Sequence, residues 1–407
     1  MKLITYQDQN STGAHIGALR NNTIVPLDSV APSMLALIDM GADGMTQAKH
    51  AVANAKAVVP ASSVKLLAPI PRPRQNVICV GLNYVAHAAE GARARGVELK
   101  LPSHPVFFTK GINAVCGPND EVPLDPNVTK QLDYEIELAF VFGKTGKNIK
   151  AEDALGYIFG YTVVNDISAR EVQTQHQQFF KGKSLDRTCP IGPCIVTSDE
   201  ITDPGKLALR LRVNGETRQD SNTNDLIFNI PTLIAQLSLG MTVEAGTIVS
   251  TGTPSGVALG MTPPVWLKPG DVMEAEVDGI GVLTNKVVAE NNGYECVLRL
   301  CCGQNYQAAC AWYECLLGRP PDMLPNDIEA AWRFSDDAWM YVIADADRAG
   351  KALLTLIIDN LEQHVAALAE RGFTPVEIED EPGQYRKVSF RDPEGNTIAF
   401  GQVFTPS

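Results

Sequence analysis

The chain has 407 residues, 45% of them hydrophobic and 20% charged, with a formal net charge of -13. That length exceeds one ordinary core and points to two or three domains. The acidic balance argues against nucleic acid, which needs basic patches, and no apolar run approaches the roughly 20 residues that span a bilayer.

Residues 1–70 read as short strands at 3–6, 15–19 and 23–26, a helix, and an exit through Pro69, Pro71 and Pro73; a small N-terminal accessory domain is expected. The polar N-terminus shows no secretory apolar stretch, so a cytoplasmic location is expected. From residue 71 to 289 β-branched runs alternate with Gly and Pro clusters such as Gly252-Thr-Pro-Ser-Gly256 and Pro269-Gly-Asp271, which predicts a mostly β core. Glu290-Asn-Asn-Gly293 reads as a linker. The charge changes there: 19 acidic and 9 basic residues lie from Glu290 onward, so most of the acidity belongs to the last quarter. Residues 295–407 repeat one order twice, a strand, a helix closed by Gly318 or Gly372, then further strands. A paired βαβββ domain is expected. The nine cysteines form no C-x-x-C pair and are expected to be reduced packing thiols.

The segment Asp133-Tyr-Glu135-Ile-Glu137-Leu-Ala-Phe-Val-Phe-Gly143, followed by Gly160-Tyr-Thr-Val-Val-Asn-Asp166, places carboxylates in two otherwise strand-like apolar runs. Residues two apart share a strand face, so Glu135 and Glu137 project together. Gathering ionised carboxylates in a partly buried site costs several kcal/mol per ion unless a cation compensates. Oxygen-only ligation suits Mg²⁺ or Mn²⁺ better than zinc. An exposed edge strand with a solvated acidic face is the equal alternative on spacing alone.

Four further motifs accompany these strands: Val80-Gly-Leu-Asn-Tyr84-Val-Ala-His87-Ala-Ala-Glu90, Asp166-Ile-Ser-Ala-Arg-Glu-Val-Gln173, Phe180-Lys-Gly-Lys183-Ser184, and Ser250-Thr-Gly-Thr253-Pro-Ser-Gly256. In this order, over roughly residues 76 to 289, they closely resemble the fumarylacetoacetate hydrolase family. The resemblance implies a mixed β-roll within an α+β, mostly β chain. It implies Glu135, Glu137 and Asp166 as ligands of Mg²⁺ or Mn²⁺, and His87 and Glu90 as a catalytic pair on a mobile lid; residues 91–96 read as flexible enough for such a lid and equally as a plain exposed loop. Lys183 is implied as a catalytic and substrate-contacting lysine, and Gln173 and Thr253 as substrate contacts. Arg170 reads as an ion-pair partner within its motif. Larger family members carry an extra metal-binding aspartate before the histidine; the matching residue here is Val80, which favours the three-carboxylate subgroup. A homodimer is also implied.

The last part resembles the vicinal oxygen chelate superfamily (glyoxalase and bleomycin-resistance proteins) through Trp312-Tyr313-Glu-Cys-Leu-Leu-Gly318 and Phe390-Arg-Asp392-Pro-Glu-Gly395-Asn396. The positions matching that superfamily's metal ligands are Leu298, Leu353 and Ala399, which cannot ligate a metal. Trp332, Trp339 and Tyr341 are either ligand contacts in a cleft or ordinary core and interface residues.

The resulting expectation is a divalent-metal enzyme acting on a small-molecule 2-oxo acid, in the first place a hydrolase of a carbon-carbon bond in a 2,4-dioxo acid such as an acylpyruvate. Water activated by His87 would attack the distal carbonyl. The same site could instead decarboxylate or isomerise a 2-oxo acid of the oxaloacetate or hydroxymuconate type, since each route passes through an enolate. A different class of function, a metabolite-binding protein built on the C-terminal domain, stands beside these.

Overall fold

The computed structural model describes residues 1–8, 13–290, 296–302, 305–335, 338–347, 349–350, 352–358, 360–381 and 384–403. The chain divides into two units, Met1–Glu290 and Asn291–Ser407.

The first unit is organised by the strand Ile136–Phe142. Alternation puts Ile136, Leu138, Phe140 and Phe142 on one face, where they join Leu209, Leu211, Met273 and Ala275 in one core. Ala139 and Val141 point the other way, into a second core with Leu3, Ile16, Leu37 and Ile38. Among the described residues this strand lies inside a 12-stranded sheet. It pairs antiparallel with Ile158–Asn165 on one side and Ile248–Ser250 on the other. A strand paired on both edges and buried on both faces has no solvated side, so the edge-strand alternative for Glu135 and Glu137 fails.

The N-terminal strands Lys2–Asp8, His15–Arg20 and Thr23–Pro26 belong to the same sheet, with Lys2 and Leu3 pairing with Val196 and Ile195. The stretch read from sequence as an accessory domain thus shares hydrogen bonds with the sheet that carries the acidic strands. The helices Met34–Asp39 and Gly41–Ala53 add Leu37, Ile38 and Ala48 to the second core. A five-stranded sheet, in the order Glu216–Asn222, Ala208–Val213, Val272–Val277, Gly281–Ala289 and Glu121–Leu124, supplies the apolar layer opposite Phe140. The architecture is α+β and mostly β, as expected.

In the second unit the order strand, helix, three strands occurs twice: Cys296–Cys302 to Ala338–Ala344, and Leu353–Ile357 to Thr397–Val403. Each repeat forms a four-stranded sheet whose first strand pairs parallel with its last. Sequence reading missed Met323–Asn326, whose residues are all exposed and carry no periodic signal. The helix Tyr306–Leu317 is capped by Asn305 and ends at a left-handed Gly318. Tyr313 donates to Asp392 at 2.8 Å and Asn396 Nδ2 donates to the Cys301 carbonyl at 3.1 Å, so the two motifs quoted for this part meet in space. Trp332 is a core residue, while Trp339 and Tyr341 lie half-buried on the opposite face, with Arg333 over the Trp339 ring. Beyond Glu290 the expected linker falls outside the described residues. The described cysteines are unbridged, most of them buried, with Cys315 exposed.

Candidate active site

Glu135 directly precedes the strand Ile136–Phe142 and Asp166 directly follows Ile158–Asn165. The antiparallel register sets Ile136 against Asn165, so the two carboxylates meet at adjacent strand ends, and Asp166 N donates to the Glu135 carbonyl at 2.8 Å. Glu137 projects from the first turn of the pleat on the same side. One carboxylate oxygen of each lies within 4.8 Å of the others, the one such cluster among the described residues. All three are buried, at 3%, 1% and 0% exposure, which is exceptional for carboxylates without compensation.

Three cations answer part of that charge. Lys183 Nζ bridges Glu135 Oε2 at 2.6 Å and Asp166 Oδ2 at 2.7 Å. Arg170 donates from Nη2 to Glu135 Oε1 at 2.5 Å and from Nε to Asp133 Oδ2 at 2.8 Å. Lys110 Nζ stands 2.8 Å from Asp166 Oδ1, but its directed hydrogen bond goes to the Ile167 carbonyl, leaving Oδ1 buried without a hydrogen bond. Among the described residues Glu137 receives only neutral donors, Ser250 Oγ at 2.5 Å and Gly252 N at 2.9 Å. Burial, then Asp166 and Glu135, push the Glu137 carboxyl well above the usual range. Burial would also raise Glu135, but Lys183 and Arg170 overcome it and hold that carboxyl far below. Lys183 would be lowered by burial and is instead raised by Asp166 and Glu135. A hard divalent cation fits this donor set: three oxygen ligands, one carboxylate lacking any ion pair, and a buried oxygen with no hydrogen bond.

The residues His87 and Glu90 stand on the helix Val85–Arg95, with His87 Nδ1 3.0 Å from Glu90 Oε1. Glu90 is itself held by Gly256 N, which donates to both carboxylate oxygens at 3.2 and 3.0 Å. The next turn fits tightly against it: a Cβ on Gly260 would stand 2.4 Å from Glu90 Oε2. Asp133 anchors the same turn, accepting from Ala258 N at 2.7 Å and Leu259 N at 3.1 Å. Asp133 therefore ties the carboxylate cluster, through Arg170, to the turn that holds Glu90 and His87. The segment 91–96, read from sequence as a flexible loop, is the last part of this helix and is closed by a left-handed Gly96.

His87, Glu135, Glu137, Gln173, Lys183 and Thr253 all line one cavity of about 50 Å³. Gln173 Oε1 accepts from Arg170 Nη1 at 3.3 Å, and Thr253 Oγ1 accepts from Gln219 at 2.8 Å. Lys183 is buried. Val80 also lines the cavity. Sequence reasoning missed Asp133 and Lys110. The i, i+2 spacing of Asp133 to Glu135 was a usable signal; the placement of Lys110 depends on a distant sheet neighbour and had none.

Residues 76–288 match the family model described as fumarylacetoacetate (FAA) hydrolase C-terminal. Oxaloacetate tautomerase YisK of Bacillus subtilis is 53% identical over 226 residues, which cover 56% of this chain and 74% of that protein. The mitochondrial oxaloacetate tautomerase FAHD2A of Homo sapiens is 39% identical over 296 residues, covering 71% and 92%. Among solved structures, maleylpyruvate hydrolase of Sphingobium sp. SYK-6 with manganese(II) and pyruvate is 30% identical with a TM-score of 0.58, covering 72% of this chain and all of that one. The chain belongs to the fumarylacetoacetate hydrolase family and is an enzyme of that family.

Two outcomes are expected. Gly260→Ala pushes Glu90 off its amide and lowers activity with little change in secondary structure; unchanged kinetics would mean that this contact does not position the pair. In chelator, the folded Glu137 carboxyl holds its proton above the unfolded value of about 4.3, so stability falls as pH rises above that value. Melting temperatures of wild type and Glu137→Gln from about pH 5 to about pH 8 check this. The variant loses part of the decline, and identical slopes would count against the burial argument.

Proposed function

We propose that the chain is a divalent-metal-dependent keto-enol tautomerase of a small dicarboxylic 2-oxo acid of the oxaloacetate class. The observation that carries this is His87, held by Glu90 that Gly256 fixes in turn, lining one small cavity together with Glu135 and Glu137 of the carboxylate cluster. Support also comes from the relatives at 53% and 39% identity, both called oxaloacetate tautomerases. The expected carbon-carbon hydrolysis is the weaker reading, since the maleylpyruvate hydrolase structure stands at 30%.

Glu135, Glu137 and Asp166 would hold Mg²⁺ or Mn²⁺, which when bound would supply positive charge for the carboxylate and keto oxygens of the acid. Glu90 keeps the Nδ1 proton of His87 engaged and leaves Nε2 free as the base. Nε2 takes a proton from C3, the C3–H pair becomes the C2–C3 double bond, and the imidazolium returns a proton to the C2 oxygen. Lys183 stabilises negative charge on that oxygen, and Gln173 and Thr253 orient the acid. One base moving one proton between two sites needs no activated water, unlike hydrolysis.

We further infer that the second unit is a glyoxalase-like paired βαβββ module without metal chemistry, separate from the catalytic unit 71–289 and its N-terminal strands. Its doubled topology and the Tyr313–Asp392 contact support this. A cytoplasmic homodimer completes the proposal; an exposed groove with Phe107, Leu239 and Met241 offers apolar surface for a second copy. No helix among the described residues is long and apolar enough to cross a membrane.

With Mg²⁺ present, enol loss, pyruvate release and carbon dioxide are read separately from oxaloacetate and from an acylpyruvate. Fast enol loss without the other two products is expected. Dominant pyruvate release from the acylpyruvate would return the hydrolase reading, and dominant carbon dioxide the decarboxylase. His87→Ala lowers the tautomerase rate by about 10²- to 10⁴-fold; a rate within twofold of wild type would remove His87 from the mechanism. A chain ending at residue 290 keeps its turnover if the second unit is a separate module, and a metabolite-binding protein with a vestigial first unit would show none in either form.

A further inference from the structure

Three cationic side chains besides His87 line the cavity, and two are already paired with carboxylates. Arg170 is held by Asp133 and Glu135, and Lys183 by Glu135 and Asp166. Arg95 differs. It lines the same cavity, it is exposed, and among the described residues it makes no hydrogen bond or ion pair. Its place follows from helical spacing: His87, Gly91 and Arg95 are four apart and stack along one face of Val85–Arg95, and all three line the cavity. A helical side chain leans toward the N-terminus of its own helix. Gly91 clears the path, since a Cβ there would stand 3.2 Å from Arg95 Nη2. The guanidinium thus lies back over Gly91, on the side of the helix that carries His87.

We propose that Arg95 recognises the second, distal carboxylate of the substrate and so selects dicarboxylic 2-oxo acids over monocarboxylic ones. This rests on the 2-oxo acid reading given above. The carboxylate and keto oxygens at one end of such an acid belong beside the acidic cluster and Lys183. The other end then extends toward the helix face, where a guanidinium offers a paired fork of donors to a carboxylate. An arginine in a last helical turn also offsets the helix dipole, but its neighbour Arg93, which donates to the Gly260 carbonyl at 3.4 Å, serves that role without facing the cavity. A dipole role would be met equally by lysine and would not distinguish one acid from another.

The test uses the full chain loaded with Mg²⁺. Calorimetric affinities for oxaloacetate and for pyruvate are measured in wild type, Arg95→Ala and Arg95→Lys, alongside oxaloacetate tautomerase kinetics. Arg95→Ala is expected to weaken oxaloacetate binding about 10- to 100-fold and to raise KM in parallel, with pyruvate affinity changed less than about twofold. Arg95→Lys restores part of the loss. Equal changes for both acids, or none for either, would overturn the assignment. If wild type fails to tautomerise oxaloacetate while Arg95→Ala still separates the two acids, the reaction assigned above falls and Arg95 stands. If turnover is present and the affinity ratio is unchanged, Arg95 alone falls.

Discussion

Among the described residues, four buried carboxylates, Asp133, Glu135, Glu137 and Asp166, stand beside three cations, Lys110, Arg170 and Lys183. Each buried ion costs several kcal/mol in lost hydration, and only close pairing offsets that. The pairing here is uneven. Asp133 and Glu135 share Arg170, Asp166 is flanked by two lysines, and Glu137 has a hydroxyl and an amide but no cation. A divalent ion would complete a site in this condition, and the oxygen-only donor set suits Mg²⁺ or Mn²⁺.

The scaffold exists to hold that imbalance in place. Hydrogen bonds on both edges of Ile136–Phe142 and apolar layers on both faces hold Glu137 buried at the edge of the cavity. The His87–Glu90 pair is fixed by the same polar network. From Glu135 the path runs through Arg170 and Asp133 to the amides of Ala258 and Leu259, and the adjoining Gly256 amide holds Glu90. One continuous path of hydrogen bonds thus joins the cluster to the turn that holds Glu90. Such continuity suits an enzyme that must place one base within reach of one carbon.

Much of this was legible in the chain. Two-residue spacing placed Glu135 and Glu137 together, three-residue spacing paired His87 with Glu90, and Gly318 marked the end of a helix that forms as read. What could not be read depends on distant partners. Spacing gave even odds between a solvated edge and a buried centre, and only the pairing of Ile136–Phe142 with Ile248–Ser250, over a hundred residues away, decides for the centre. The pairing of Lys2 and Leu3 with the strand Cys189–Thr197 is non-local in the same way. The segment 91–96 looked flexible because two glycines bracket small and charged residues. The helix absorbs Gly91, where Arg95 packs over it, and uses Gly96 as its cap.

The central claim is that the acidic cluster binds one divalent ion through Glu135, Glu137 and Asp166. Its most direct test is Mn²⁺ titration followed by electron paramagnetic resonance, on wild type and on Glu137→Gln and Asp166→Asn variants whose folding is verified by circular dichroism. One tightly bound ion per chain is expected in wild type, with at least about a tenfold loss of affinity in each variant. Absence of tight binding in wild type, or equal binding in all three proteins, would contradict it.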